Sequence, residues 1–412
     1  MRKTLPNNWV ETKAENLFNL VYGKGLAVKD LTDDGYLVYG ANGIIGKYSS
    51  YTYEKSKVII SCRGAASGAI HKTKPFSFIT SNSIVLDEVS ESIVDLFFIK
   101  YVMTYVDKSE IITGTAQPQI TIQLLNKLQI PLPPLPEQER IANKLDALFS
   151  QLDGIRAAME RIPTLLKNFR QQVLTQAVTG KLTNVDPQKR YLKELLLDVK
   201  YGTSKKSDYG IDGIPVLRIP NINEGEINLN DLKYTIFEEK EYEQLKLKDG
   251  DVLIIRSNGS ISLVGQTAIV RKKHEGYSYA GYLIRMRCNQ DLDPEFLNFS
   301  LRSGFVRSQI IDLAHSTSGV NNINAEQIKG LKICWFSIPE QQEIVHRVEN
   351  LFSQADVIEQ QYKSLKQKID NLPQAILHKA FKGELVEQFP TDGDAHDLLR
   401  QIEKLKESTK KK

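Results

Sequence analysis

Pro133-Pro134-Leu135-Pro136-Glu137-Gln138-Glu139-Arg140-Ile141 is answered 203 residues later by Phe336-Ser337-Ile338-Pro339-Glu340-Gln341-Gln342-Glu343-Ile344, and this echo decides how the chain is built. Sliding the sequence over itself by 203 positions lays Ile120–Thr183 on Ile323–Val386 without a gap, with 19 identities in 64 positions. A repeat of that length is a structural segment used twice rather than a short solenoid unit. The chain therefore divides into a first variable segment (1–119), a repeated segment (120–189), a second variable segment (190–322) and the repeated segment again (323–412).

The repeated segments carry a heptad pattern. Ile141, Leu145, Leu148, Leu152, Ile155, Met159 and Ile162 recur at alternating spacings of four and three, and the second copy supplies Ile344, Val348, Leu351, Ala355, Ile358, Tyr362 and Leu365. This is the a/d seam of a coiled coil. Pro136 and Pro339 suit the first helical position, and the glutamates beside them suit the positive end of a helix dipole. Pro163 and Pro373 are expected to interrupt or kink the run, and Gly180 and Gly383 to stop it. An unbroken helix from Pro136 to Ile162 would be about 40 Å long. Two readings of the seam compete: the two helices pair antiparallel, or each packs on its own globular domain as ordinary core. The polar outer positions Glu139, Arg140, Asn143, Lys144, Gln342, Glu343, His346 and Arg347 leave a narrow apolar stripe, which suits the coiled coil.

Both variable segments read as mixed strand and helix. Tyr36–Tyr39, Lys57–Ser61 and Phe76–Ile79 in the first, and Val216–Ile219, Asp251–Arg256, Gln266–Arg271 and Gly281–Arg287 in the second, are strand-forming runs bounded by Gly, Asn, Pro or Ser. A helix is expected over Ser92–Tyr105 and over Pro294–Asp312, each followed by a polar loop, Thr113–Gln119 and Ser316–Asn322. The fold class is α+β, with two mixed domains separated by two long helices that form an antiparallel coiled coil about a pseudo-two-fold internal repeat.

Several loops combine basic, amide and glycine residues, the mixture that backbone approach to phosphate and base-edge contact require. They put forward Asn42, Lys47, Arg63, Ser67, Lys72, Lys74 and Gln117 in the first half, and Ser204, Lys205, Lys206, Arg218, Asn221, Arg256, Ser257, Asn258, Lys272, Lys273 and Asn321 in the second. Any one of these loops reads equally well as a solvated turn, and Asn42 and Asn258 also suit left-handed turn positions.

The 412 residues exceed one ordinary core, and 41% apolar with 25% charged residues is a globular balance. Net charge is only +4, and no segment is a basic domain. The start of the chain lacks the apolar stretch of a secretory signal, no uncharged run is long enough for a membrane span, and the three dispersed cysteines read as reduced thiols; a cytoplasmic protein is expected. There is no P-loop, no dinucleotide fingerprint, no Asp/Asn-Pro-Pro-aromatic tetrapeptide, and the six histidines stand apart from one another. An intrinsic active site, a metal and a bound cofactor are not expected. The terminal Lys404–Lys412 stretch reads as a solvated or frayed tail, with contact to DNA as the alternative.

With variable and repeated segments alternating, Pro-Glu-Gln opening each heptad helix, Thr179-Gly180-Lys181-Leu182 and Lys382-Gly383-Glu384-Leu385 closing them, and Thr113–Pro118 and Thr317–Asn322 approaching each repeat, the chain resembles the specificity subunits of type I restriction-modification systems. Arg256-Ser257-Asn258-Gly259 and Tyr39-Gly40-Ala41-Asn42-Gly43 resemble turns of that family's target recognition domains. The resemblance implies a non-catalytic subunit whose two recognition domains each read half of a split, asymmetric site in double-stranded DNA. It also implies that two modification subunits dock on the helical regions, that restriction subunits join the full complex, and that S-adenosylmethionine, ATP and Mg reside in those partners. A coiled-coil scaffold with no DNA role is the competing reading; a self-contained nuclease or methyltransferase fails on its missing motifs.

Overall fold

The computed structural model describes residues 5–88, 94–314 and 320–410. They form two compact units, one made of residues 1–159 with 364–412 and the other of residues 160–363. Each unit contains one variable segment, the beginning of one repeated helical region and the end of the other. Among the described residues, seven α-helices have nine residues or more: α1 (Leu96–Tyr105), α2 (Leu135–Met159), α3 (Ile162–Val178), α4 (Pro294–Arg302), α5 (Gly304–Ala314), α6 (Ile338–Ala380) and α7 (Ala395–Lys410).

In the first unit an antiparallel sheet runs in the order Phe18–Tyr22, Ser83–Glu88, Val58–Ser61, Ile70–Lys72. A second sheet runs Gly43–Tyr48, Tyr36–Gly40, Phe78–Ile79, its last pair parallel. The second unit repeats both. Its larger sheet runs Leu196–Tyr201, Leu283–Cys288, Val252–Ile255, Thr267–Ile269, and its smaller one Lys233–Thr235, Ile214–Leu217, Ser278–Tyr279, again with the last pair parallel. The expected strands all lie within a few residues of observed ones.

Val58–Ser61 and Val252–Ile255 are buried at every position. A strand covered on both faces needs no polar alternation, which is why these segments read as continuous apolar runs. Alternate side chains enter different cores: Val252 and Ile254 join α3, α4 and α6 residues, while Leu253 and Ile255 pack with Leu217, Leu245 and Tyr279.

The glutamine of each Pro-Glu-Gln ties helix to domain. Gln138 accepts a hydrogen bond from Asp95 N (3.1 Å) and donates to Pro133 O (2.9 Å); Gln341 accepts from Asp293 N (2.8 Å) and donates to Phe336 O (2.7 Å). Asp95 and Asp293 are the N-caps of α1 and α4, so one buried amide fixes the start of two helices in each unit. The neighbouring glutamates differ. Glu137 is fully buried and accepts from Trp9 Nε1 (3.0 Å), Asn8 (3.3 Å) and Gln388 (3.0 Å), whereas Glu340 accepts from Ser337 N and Oγ at its own helix start.

Within the second unit α3 and the first part of α6 are antiparallel: Arg170 bridges Asp356 (2.7 Å) and Glu359 (2.8 Å), and Val173, Leu174 and Ala177 share a core with Ile344 and Val348. In the first unit Ile141, Ala142 and Leu145 near the start of α2 share a core with Leu377 and Ala380 at the end of α6, and with Phe98 and Val102 of α1. The two readings of the seam therefore both apply near the helix ends, where seam residues meet the other helix and the domain together.

The seam is not closed along its whole length. Ile141, Leu145, Leu152, Met159, Ile344, Val348 and Ala355 are buried, and Leu148, Ile162, Leu351 and Tyr362 are half-buried, but Ile155, Ile358 and Leu365 are each 48% exposed. Neither domain core takes in these positions. The helical run breaks between Met159 and Ile162, beside Pro163 as expected; Pro373 does not interrupt its run but lies inside α6, whose 43 residues end at Ala380.

Gly180 (φ 78°) and Gly383 (φ 74°) follow the helix ends as expected. The helix expected over Pro294–Asp312 is two helices, since Ser303 takes an extended conformation between them. Residues 404–407 are solvated rather than frayed: Lys404, Leu405 and Glu407 are exposed, but the stretch through Lys410 belongs to α7, which buries Ala395 and Ile402 in the first unit and sets Lys406 Nζ on the carbonyls of Glu15 and Phe18. Lys411, Lys412 and part of the expected Ser316–Asn322 loop lie outside the described residues.

Candidate nucleic-acid interface

In the second unit six of the residues put forward by the sequence converge. Ser204, Lys205, Lys206, Arg218, Arg256 and Ser257 line one open cavity of about 870 Å³, together with Tyr201, Lys233 and Tyr282. The ends of the strands Leu196–Tyr201, Ile214–Leu217 and Val252–Ile255 bring them there, because each chain segment leaves the sheets on that side. Gly202 makes the close packing possible: a Cβ there would lie 2.3 Å from Tyr279 O and 2.4 Å from Ala280 O.

The cavity's cations are held by counter-charges of the unit itself. Lys205 pairs with Glu241 (2.6 Å), Lys206 and Lys233 approach Asp208 (3.5 and 3.8 Å), and Arg218 bonds the Asp231 carboxylate (2.9 Å). Asp208 is held below the usual carboxylate range by the Tyr209 backbone N–H and then by Lys206 and Lys233; Asp231 is lowered by the Tyr209 hydroxyl and then by Arg218. Lys206 is the most exposed of these cations, at 89%, whereas Lys233 and Arg218 are at 24% and 20% and Arg218 also donates to Asp231 O (2.9 Å); a phosphate would meet them as an alternative to the carboxylates. Arg256 has no carboxylate partner among the described residues. Its Nη2 donates to Asn322 Oδ1 (3.1 Å), its Nη1 to Gly281 O (3.2 Å), and its guanidinium lies 4.9 Å from the Tyr201 ring centre.

Asn221 is placed differently. It is fully buried, accepting from Arg218 N (2.8 Å) and donating to the carbonyls of Asn228 (2.8 Å) and Asp231 (3.0 Å), so it builds the loop that carries Arg218. Ser257–Asn258 pair with Asn321–Asn322 as a short antiparallel ribbon, and Asn321 donates to Gly259 O (3.0 Å). Lys272 and Lys273 are exposed on a separate 3₁₀ turn and do not line the cavity.

In the first unit the candidates are more scattered. Arg63 and Gln119 form the bridge that matches the Ser257–Asn322 pair, and Ser67 Oγ donates to Pro118 O (2.7 Å), so the loop 62–67 and the polar stretch 113–119 are one packed feature with Arg63 and Gln117 exposed on it. Asn42 is exposed at the tip of the Tyr36–Gly40/Gly43–Tyr48 hairpin, and Lys74 is exposed as well. Neither Asn42 nor Asn258 is left-handed; Gly43 (φ 80°) takes that role in the hairpin. Lys47 lies 3.7 Å from Asp34. The Lys72 ammonium sits 3.2 Å over the Phe97 ring of α1, with its pKa lowered by burial and by Lys100.

Strand register shows which residues of the two units correspond, and it brings out residues the sequence reading passed over. Ile120 N bonds Cys62 O as Ile323 N bonds Arg256 O, so Cys62 stands where the second unit has Arg256. The parallel pairs Tyr39–Ile79 and Leu217–Tyr279 put Gly40 opposite Arg218. Tyr22-Gly23 matches Tyr201-Gly202, and a Cβ on Gly23 would meet Thr80 O and Ile79 O at 2.3 and 2.4 Å. The shared Tyr-Gly dipeptide was the available signal for Tyr201, but only the register shows that the two pairs are equivalent.

A family model described as the type I restriction modification DNA specificity domain matches residues 6–162 and again residues 185–367. The chain belongs to this family. Both matches take in a variable segment and the start of the following helical region, the same duplication that the strand orders show. The Escherichia coli K12 protein named type I restriction enzyme EcoKI specificity subunit is 40% identical over 64% of this chain and 59% of its own length. The chain spans about three fifths of the length of the curated relatives of 33–40% identity.

Among solved structures, one chain from a type I R-M system shares the fold with a TM-score of 0.70 at 17% identity, covering 92% of this chain and 99% of that one. The HsdS subunit from Thermoanaerobacter tengcongensis does so with a TM-score of 0.63 at 16% identity, covering 93% and 99%. As a member of the DNA specificity family the chain presents a cationic cavity in one unit and a different surface at the same place in the other.

Proposed function

We propose that this chain is the DNA sequence-recognition subunit of a type I restriction-modification complex, each unit reading one half of a split, asymmetric site. The observation that carries the reading is the double match to the specificity domain on two units of one strand order, with unlike side chains where the strands end. Lys205, Lys206, Lys233 and Arg218 supply phosphate contact in the second unit, and the residues around Tyr201 and Arg256 supply base contact. The nearly balanced net charge argues that phosphate grip is shared with partners. In this reading the helical regions set the spacing between the half-sites and dock two modification subunits, and restriction subunits join the full assembly. Methyl transfer from S-adenosylmethionine and ATP-driven steps with Mg belong to those partners, this chain contributes no active site, and the complex works in the cytoplasm. No helix of the described residues is long and apolar enough to cross a membrane.

The test is to co-express the chain with a matched modification subunit and map methylated adenines across the host genome. A split motif with two unlike halves that vanishes when this chain is omitted is the expected result. A stable complex that adds no methylation and binds DNA without sequence preference would reject the reading.

A further inference from the structure

The two units carry the same turn at the edge of the candidate interface, held by the same backbone hydrogen bonds. Ser83 N bonds Thr80 O (3.0 Å) and Leu283 N bonds Ala280 O (2.8 Å), closing the turns 80–83 and 280–283. Ser81 N bonds Lys24 O (2.9 Å) as Gly281 N bonds Thr203 O (2.7 Å), and Thr80 N bonds Tyr39 O (2.9 Å) as Ala280 N bonds Leu217 O (2.9 Å). Finally, Cys62 N bonds Asn82 O and Arg256 N bonds Tyr282 O, each at 2.9 Å. Asn82 and Tyr282 are thus the third residues of equivalent turns, pinned by their own carbonyls to the central strand.

On this rigid frame the side chains are free. Asn82 is exposed, Tyr282 is 62% exposed, and neither side chain has a hydrogen-bond partner among the described residues. Tyr282 lines the cavity with Arg218, Arg256 and Lys206. A polar side chain that makes no bond within its own fold, on a backbone fixed from three sides, meets the geometric requirement for reading a base, and Tyr282 in addition stands beside cationic side chains.

We propose that the position occupied by Asn82 and Tyr282 is a specificity-determining residue of each unit, an inference that rests on the DNA-reading function proposed above. The carboxamide of Asn82 offers a donor and an acceptor side by side, the pair complementary to N7 and N6 of adenine in the major groove. Tyr282 offers one hydroxyl and a ring edge, so it makes a single hydrogen bond or an apolar contact with a thymine methyl and does not select adenine through paired bonds. The two half-sites then differ at this position because the side chains do.

The test uses the full chain in complex with its modification subunits, selecting bound duplexes from a randomised library. Wild type, Asn82→Ala, Asn82→Gln and Tyr282→Ala complexes are compared, with thermal melting and salt-dependent binding to unselected DNA as controls for folding and phosphate grip. Asn82→Ala is expected to lower adenine preference at one position of one half-site by about fivefold or more while leaving the other half-site unchanged. Tyr282→Ala is expected to relax one position of the opposite half-site. If the wild type selects a split site and Asn82→Ala keeps every position within twofold of it, the assignment is wrong while DNA reading stands. If the wild type selects no sequence, DNA reading falls and the assignment with it.

Discussion

The two units are alike where backbone meets backbone and unlike where side chains meet solvent. Gly23 and Gly202 are pressed equally hard against the carbonyls of the parallel strand, and the turns 80–83 and 280–283 are closed by equivalent hydrogen bonds. On that frame Gly40 stands where the other unit has Arg218, Cys62 where it has Arg256 and Asn82 where it has Tyr282. A fold can therefore vary its exposed side chains at strand ends and turns, because its stability comes from doubly covered central strands and from a glutamine that ties helix to domain.

The sharpest contrast in stability is expected at the helix openings. Glu137→Ala leaves the buried indole N–H of Trp9 without an acceptor, removes the bond from the exposed Gln388 amide, and is expected to cost about 2–3 kcal/mol. Glu340→Ala removes only a local cap, worth about 1 kcal/mol. Urea unfolding followed by Trp fluorescence, which Trp9 and Trp335 report from different units, measures both; equal losses would break the contrast. The glutamines should show the opposite pattern. Gln138→Ala and Gln341→Ala each unpin an N-cap residue from a buried amide, and each is expected to cost about 2 kcal/mol in its own unit. A loss at only one of them would mean that the two junctions are not equivalent.

A smaller effect shared by both units is expected with pH. Burial lowers the pKa of His71 in the first unit, and burial followed by Lys273 and Arg271, against Glu226, lowers that of His274 in the second. Both imidazoles then protonate more easily in the unfolded chain, so the stability they contribute is complete above about pH 6.5 and declines as pH falls below it. The melting temperature should be flat from about pH 8 to 7 and fall below pH 6.5, and His274→Asn should reduce the acid-side slope of the second unit. An unchanged slope would show that His274 does not titrate on unfolding.

Much of the architecture was legible in the sequence because helices write their pattern locally. The heptads, the break at Pro163 and the stops at Gly180 and Gly383 all follow from neighbouring residues. What covers an apolar stripe is not local, and so the exposure of Ile155, Ile358 and Leu365 could not be read from spacing. Pro373, expected to interrupt or kink its run, does not interrupt α6. At the site, the loops bearing Lys205, Arg218 and Arg256 were legible from composition, whereas their convergence depends on strand order. Asn221 resembles its neighbours in composition yet is buried, and Asn82 and Tyr282 become equivalent only through register.

The claim that each unit reads its own half is tested most directly by disabling one surface and sequencing what the complex still binds. The double variant Lys206→Ala with Tyr282→Ala changes two exposed side chains of the second unit and leaves its backbone ties intact. Selection from randomised DNA should then return one half-site unchanged and the other degraded. Equal degradation of both halves, or of neither, would contradict the account.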